Sequence, residues 1–448
     1  MVNNFKYLIV IFLIFFCSFL ARAQNNFSLK NNLKKQSISF KLNSNLVIIP
    51  IEVNGKKLNF ILDSGVGSTI LFNINKQDSV PLHNVKKVKL KGLGEEEAID
   101  AILSQGNNFK IRNVEGIDQK LYVIFDDSFD LSSKLGTTIH GIIGYDLLKD
   151  FVVKISYSNE RITFYDSKLY EYPNCRKCET LNLEFDKLKP YINVEAKLSK
   201  NPNKVTPVKL LIDSGGSDSM WLFENSHPDI LAPEKYFDDF LGEGLSGAIY
   251  GKRAIINSLI IGRFELKKPT VSYPDSASIA EAMKFKKRNG SVGANILKRF
   301  TVTFDYKGKK MTLRKGSSFN EPFRYNMSGL ELVYYGKILV KERDNTNFEL
   351  SENYSTNEKN VVVLSYQYKY TFKNAYKVYK IQKNSPAALA GLQINDIIIK
   401  INGKYAHEME LEEIVEKFYQ KEGKKINLVI EREGKDYEYR FRLKNMLN

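Results

Sequence analysis

The sequence predicts a mainly β protein, with two related β lobes followed by a smaller α+β domain. Three observations carry that expectation. Short runs rich in Val, Ile, Phe, Tyr and Thr recur along the chain, several with the period-two alternation of half-buried strands. A run near residue 60 returns, with its surroundings, near residue 210. After residue 318 the pattern changes to strands interleaved with short helical segments. At 448 residues the chain is too long for a single core, so several domains are expected.

The first residues read as a targeting segment. Lys6 supplies a weak positive start, and Tyr7 to Leu20 is an apolar run of 14 residues, short for a membrane span. Ala21-Arg22-Ala23 then gives a small-x-small cleavage pattern. Residues 1–23 are therefore expected to be a signal peptide, which places the mature protein in the periplasm or outside the cell. Cys17 lies within the apolar run behind Phe15-Phe16 and does not resemble a lipid-attachment cysteine. The formal net charge is +16, but its lysines are dispersed and no nucleic-acid-reading motif accompanies them. That pattern argues against a nucleic-acid partner and suits solubility or an anionic envelope.

Two further cysteines, Cys175 and Cys178, stand in "NCRKC". In an exported chain they can close a tight local disulfide. Pro173 before them and the strand-like "TLNLEF" after them do not suit a redox pair opening a helix. Zinc would need two more ligands, and the four His residues are scattered. A structural disulfide or free thiols are expected, with no metal and no cofactor.

The repeat defines the two lobes. "FILDSGVGSTIL" (Phe60 to Leu71) and "LLIDSGGSDSMWL" (Leu210 to Leu222) share apolar-apolar-Asp-Ser-Gly, with Asp63 and Asp213 150 residues apart. Gly92 and Gly94 follow Asp63 by 29 and 31 positions, and Gly242 and Gly244 follow Asp213 by the same intervals. "GIIGYDLLKDFVVKISYSNERITFY" from Gly141 is matched by "GSVGANILKRFTVTFDYKGKKMTLR" from Gly290, 149 positions on. Three features in register predict an internal duplication, with lobes at about 39–170 and 180–318. Strands are expected in "KLNFILD", "KVKLKGL", "DFVVKISY" and "RITFYD", with a helical turn or two at 145–149 and 294–298.

Each Asp stands at a strand end, where Gly65 or Gly215 lets the chain turn. Pseudo-twofold packing would bring the two turns together. Two adjacent carboxylates cannot both ionise cheaply, so the pair retains a proton. One then serves as general base on a water, and the other donates to the carbonyl under attack. Ser64 and Ser214 offer hydroxyls that can bond across to the opposite turn. The Gly-rich segments at Gly92, Gly94, Gly242 and Gly244 suit hairpin flaps.

These residues resemble the retropepsin-like aspartic peptidases, whose signature is apolar-apolar-Asp-Thr/Ser-Gly followed by apolar-apolar-Gly. Residues Ile142 to Leu148 match the second signature closely, and Ser291 to Leu297 more loosely. The resemblance implies β-barrel lobes, with Asp63 and Asp213 as the catalytic pair of a fused two-lobe peptidase acting on peptide or protein substrates. One active site per chain and a monomer follow. Ser replaces the more usual Thr in both turns, and Val66 and Gly216 differ after them.

In the third region, Ser385 is placed to cap a helix begun by Pro386 and ended by Gly391. A strand from Ile397 to Ile401 and an Asn402-Gly403 turn follow. A second helix then carries Leu411, Ile414, Val415 and Phe418 on one face, before a hairpin around Glu433-Gly434. This series resembles a PDZ domain, spanning about 325–445 with a polar insertion at about 342–359. The resemblance implies a peptide ligand added as a strand, with Gly329 and Leu330 as candidate carboxylate-binding donors. Glu331 stands where an incoming carboxylate is unwelcome.

The alternative is a non-catalytic envelope protein using a degenerate peptidase fold as a peptide-binding adaptor. A serine hydrolase fits poorly. Neither Ser64 nor Ser214 has a His nearby in sequence, and Gly-x-Ser-x-Gly is absent.

Overall fold

The computed structural model describes residues 26–74, 79–125, 130–198, 204–353 and 361–447. The expected signal peptide, residues 1–23, lies outside them. The chain divides into two compact units. One holds the described residues up to Asp130 together with Ile139–Phe323; the other holds Leu131–Thr138 and Arg324–Met446.

The first unit is almost wholly strand, and its two halves are wired alike. The strand Lys56–Leu62 runs parallel to Gly141–Ile143, with Phe60 opposite Gly141 and Leu62 opposite Ile143. Val205–Ile212 runs parallel to Gly290–Val292, with Leu210 opposite Gly290 and Ile212 opposite Val292. In each half the short strand after the Asp turn, Ile70–Leu71 or Met220–Leu222, pairs antiparallel with the same partner. Solid apolar runs form these strands because both faces are covered. Phe60, Leu62, Leu210, Ile212 and Val292 are all essentially inaccessible.

The helical turns sit at Tyr145–Leu148 and Ala294–Leu297. Each leads into a strand, Phe151–Ser156 or Phe300–Asp305, and these two pair antiparallel with Val152 opposite Asp305 and Ser156 opposite Thr301. A six-stranded sheet is thereby shared between the halves, and one apolar core runs through both. Burying each such Phe, Ile or Leu contributes on the order of 1.5–3 kcal/mol. The carboxylates of Asp63 and Asp213, at the ends of these strands, are half-buried.

Cys175 and Cys178 form a disulfide at the start of the strand Cys178–Asn182, where Cys178 N–H also donates to the Cys175 carbonyl (3.1 Å).

The second unit has the expected helices and turns. Ser385 Oγ accepts the Ala388 N–H (3.2 Å) and caps Pro386–Ala390, which Gly391 ends at φ 92°. Asn402 and Gly403 have φ 50° and 87° between Ile397–Ile401 and Lys404–Tyr405. Leu411–Val415 buries Leu411 and Ile414, and Lys425–Arg432 pairs with Lys435–Arg442.

The polar stretch behaves differently from its sequence reading. Residues 342–353 continue the strand Leu330–Asn353, which pairs with Val361–Ile381 in a long ribbon; residues 354–360 lie outside the described set. Cross-strand pairs hold the ribbon despite its polarity. Glu342 accepts from Thr371 Oγ1 (2.7 Å) and pairs with Lys373 (3.1 Å).

Candidate active site

The two Asp-Ser-Gly turns meet. Ser64 N–H donates to Ser214 Oγ (2.9 Å), and Ser214 N–H donates to Ser64 Oγ (3.0 Å). Each hydroxyl then donates onward to the opposite strand, Ser64 to the Ile212 carbonyl (2.7 Å) and Ser214 to the Leu62 carbonyl (2.8 Å). Both serines are fully buried, so each hydroxyl satisfies a main-chain donor and acceptor that water cannot reach. Four reciprocal hydrogen bonds fix the spacing of the neighbouring aspartates.

The carboxyl groups of Asp63 and Asp213 both face Gly65. A Cβ on Gly65 would lie 3.0 Å from Asp213 Oδ1 and 3.2 Å from Asp63 Oδ1, and one on Gly215 would lie 2.2 Å from Asp63 Cγ. Any side chain there would fill the space of the pair, which is why both positions demand glycine. Gly65 N–H donates to Asp63 Oδ1 (2.6 Å), while Gly215 and Gly216 N–H donate to Asp213 Oδ1 (3.2 and 3.0 Å). The main chain before each carboxylate is also pinned. Asp63 N–H donates to the Ile143 carbonyl and Asp213 N–H to the Val292 carbonyl, both at 2.9 Å. Gly144 must be glycine as well, since its Cβ would stand 2.0 Å from the Asp63 carbonyl oxygen.

Burial, followed by the neighbouring Asp213 charge, pushes the Asp63 carboxyl up to about 8. The Gly65 N–H and the Lys189 charge oppose that rise. Lys189 and Arg288 are cations that the sequence reading missed. Burial lowers the basicity of both, and the Asp213 charge partly restores each. Arg288 is 4% exposed, donates from Nε to the Gly290 carbonyl (3.0 Å) and stacks on Phe223. Neither cation has a counterpart at the repeat interval, so the repeat gave no signal for them. A paired signal did exist at His140 and Asn289, the residues before each repeated glycine. His140 Nδ1 accepts the Asn59 N–H (3.0 Å) as Asn289 Oδ1 accepts the Lys209 N–H (2.8 Å).

The glycine-rich segments of the two halves touch each other. Ser246 N–H donates to the Leu93 carbonyl (2.8 Å), Glu96 N–H to the Ser246 carbonyl (3.0 Å) and Gly92 N–H to Ser246 Oγ (3.2 Å). Gly94 N–H donates to the Ser278 carbonyl (2.8 Å). The contact is tight enough to exclude side chains. A Cβ on Gly94 would stand 1.9 Å from the Ser246 carbonyl oxygen, and one on Gly244 would stand 2.2 Å from that of Leu93. Gly242, at φ 138°, has open space around it and sits at a bulge in the hairpin Phe237–Gly244 with Gly247–Ile255.

Residues 49–147 match the aspartyl protease family, and residues 377–432 match the PDZ domain family. The chain carries an aspartyl protease domain and a PDZ domain. The protease match contains Asp63 and the Gly141–Leu147 run, whereas Asp213 lies beyond it. An aspartic proteinase from Irpex lacteus superposes with a TM-score of 0.42 at 12% identity, covering 64% of this chain and 99% of that one. A probable CtpA-like serine protease of Staphylococcus saprophyticus is 40% identical over 65 residues, 14% of this chain. The chain spans only 13% of that relative's length.

In the second unit, Gly329 has φ 77°, and a Cβ there would stand 2.1 Å from that of Ser385. Leu330 is fully buried, and its N–H already donates to Ser328 Oγ (3.0 Å), so a carboxylate would have to displace that hydroxyl. The PDZ unit also includes a segment that precedes the Gly141 strand in sequence. The helix Leu131–Leu135 packs on the strand Leu330–Asn353. Lys134 lies over the Tyr379 ring, and a Cβ on Gly136 would stand 2.7 Å from that of Leu411.

Proposed function

We propose that the chain is an exported aspartic endopeptidase whose PDZ domain recruits peptide or regulates access. The proposed parts are a signal peptide at 1–23, duplicated lobes at 39–170 and 180–318 and a PDZ domain at 325–445, acting as a monomer with one site. The observation that carries this reading is the reciprocal Ser64–Ser214 bonding that holds Asp63 and Asp213 together. Burial makes Asp63 the member that keeps its proton. The ionised partner takes a proton from a water held between the carboxyls, the water oxygen attacks the peptide carbonyl, and Asp63 donates to the carbonyl oxygen. The proton taken from water then passes to the nitrogen as the C–N bond breaks, and the collapsing diol returns a proton to Asp63. Neither serine is placed as a nucleophile, because both hydroxyls donate to buried main-chain carbonyls. That argues against carrying over the serine chemistry of the Staphylococcus relative.

The test is cleavage of a denatured protein library by the mature chain from about pH 3 to pH 8. Cleavage blocked by a hydroxyl-containing peptide isostere, and indifferent to chelators and serine reagents, supports the reading. Retained peptide binding without cleavage at any pH would instead make the protein an adaptor.

The pH profile has a defined sign. The working pair holds one proton, so activity should fall as pH rises through the raised Asp63 value of about 8. An initial-rate profile of kcat/KM checks this, and a plateau extending above pH 9 would contradict it.

The flap glycines give a further prediction. Gly94 sits at φ 119°, and an added methyl would collide with the Ser246 carbonyl. Strain of about 1–3 kcal/mol at such a position would fall on the flap contact. Gly94→Ala should lower kcat/KM roughly tenfold (about 1.4 kcal/mol) and leave the circular dichroism spectrum unchanged.

A further inference from the structure

The ribbon formed by Leu330–Asn353 and Val361–Ile381 has two unlike faces. Register pairs Lys337 with Asn374, Leu339 with Phe372, Lys341 with Tyr370 and Arg343 with Tyr368, and these eight side chains share one face. Leu339 is 57% exposed, Tyr368 57%, Tyr370 62% and Phe372 69%. The other face carries Ile338, Val340 and Glu342 beside Thr371 and Lys373, and is half-buried. Ile338 and Val340 help line a cavity there with Ile398, Ile399 and Tyr405.

The exposed face has an unusual composition. It presents one Leu, one Phe, two Tyr, two Lys, one Arg and one Asn, and no acidic side chain. Glu342 points to the other face and is satisfied by Thr371 and Lys373. Lys341 lies over the Tyr368 ring at 4.3 Å, so cation and aromatic are interleaved. Four exposed large apolar side chains within roughly 20 Å of strand are costly in water unless something covers them.

We propose that this ribbon face docks on an anionic phospholipid surface. Tyr and Phe favour the headgroup level, where an apolar ring and a polar edge are both accommodated. Lys337, Lys341 and Arg343 supply the charge complement to anionic headgroups, each contributing about a fivefold gain in partitioning near a charged membrane. The rise of a strand brings the side chains of one face into a single plane, which suits a flat surface better than a closed pocket. The chain's net charge of +16 favours the same encounter. The proposal is independent of the peptidase reading, since it concerns only the ribbon.

The test is co-sedimentation of the full mature chain with vesicles of phosphatidylcholine alone or mixed with phosphatidylglycerol. Binding is expected to the mixed vesicles, to weaken as salt is raised, and to be weak on phosphatidylcholine alone. Lys341→Glu should lower the partition coefficient at least fivefold, and Phe372→Ser should lower it on mixed vesicles by a similar factor. Lys435→Glu, the same charge change at an exposed position elsewhere in the PDZ domain, should lower it less than twofold. Both ribbon residues are exposed, so the variants should melt as the parent does. Equal binding by all variants, no binding to mixed vesicles, or binding only to a soluble poly-glutamate peptide would overturn the proposal.

Discussion

Asp63→Asn and Asp213→Asn are each expected to lower kcat/KM at least about 10⁴-fold, the upper range for a general acid or base, while leaving the fold intact. Asn is nearly the shape of Asp and still accepts the local glycine N–H, so the turn geometry survives. The proton count does not, because a pair containing one amide has a single titrating carboxyl and cannot donate a proton to the carbonyl while accepting one from water. Stability should move in a way that a simple structural role would not produce. Asp63 is held above its usual range, chiefly by burial, so folding takes up a proton there. That contribution is fully present below the unfolded carboxyl value of 3.8 and is lost as pH rises through about 8. Asp63→Asn should therefore flatten the alkaline loss of thermal stability as well as abolish cleavage. Undiminished cleavage by either purified variant would sink the catalytic assignment.

Local chemistry was legible in the sequence where a residue acts on its near neighbours. Ser385, Pro386 and Gly391 define a helix by their own backbone preferences, and Asn402-Gly403 defines a turn in the same way. The strand ends carrying Asp63 and Asp213 were legible for a different reason. The same local pattern occurs at both, so each copy could be read against the other. Where the copies diverge, the signal disappears. Lys189 and Arg288 lie near enough to feel the Asp213 charge, and nothing at the repeat interval marks them. Leu131–Thr138 belongs to the PDZ unit although it precedes the Gly141 strand in sequence, and no propensity in "LSSKLG" reveals that. The polar insertion at about 342–359 was legible as an insertion, but its ribbon form was not. The pairing that holds it is non-local.

Ser64→Ala is the other substitution with a large expected effect, and it separates geometry from proton chemistry. Ser64 Oγ accepts from Ser214 N–H and donates to the Ile212 carbonyl, all of it buried. Removing the hydroxyl strands one buried donor and one buried acceptor, at about 1–3 kcal/mol each. A loss on the order of 3 kcal/mol in the unfolding transition of the two-lobed unit is therefore expected, and Ser214→Ala should match it through Ser64 N–H and the Leu62 carbonyl. The double variant should lose less than the two singles combined. Once one turn has moved away, the remaining hydroxyl no longer has its partners at bonding distance. Cleavage should fall with the spacing of the carboxyls and shift its alkaline limb, because a wider Asp63–Asp213 gap weakens the repulsion that helps raise Asp63. Ser64→Thr retains an Oγ in the same place and should restore most of both. Additive losses in the double variant, with an unchanged pH profile, would mean that the serines stabilise their own lobes without setting the distance between the aspartates.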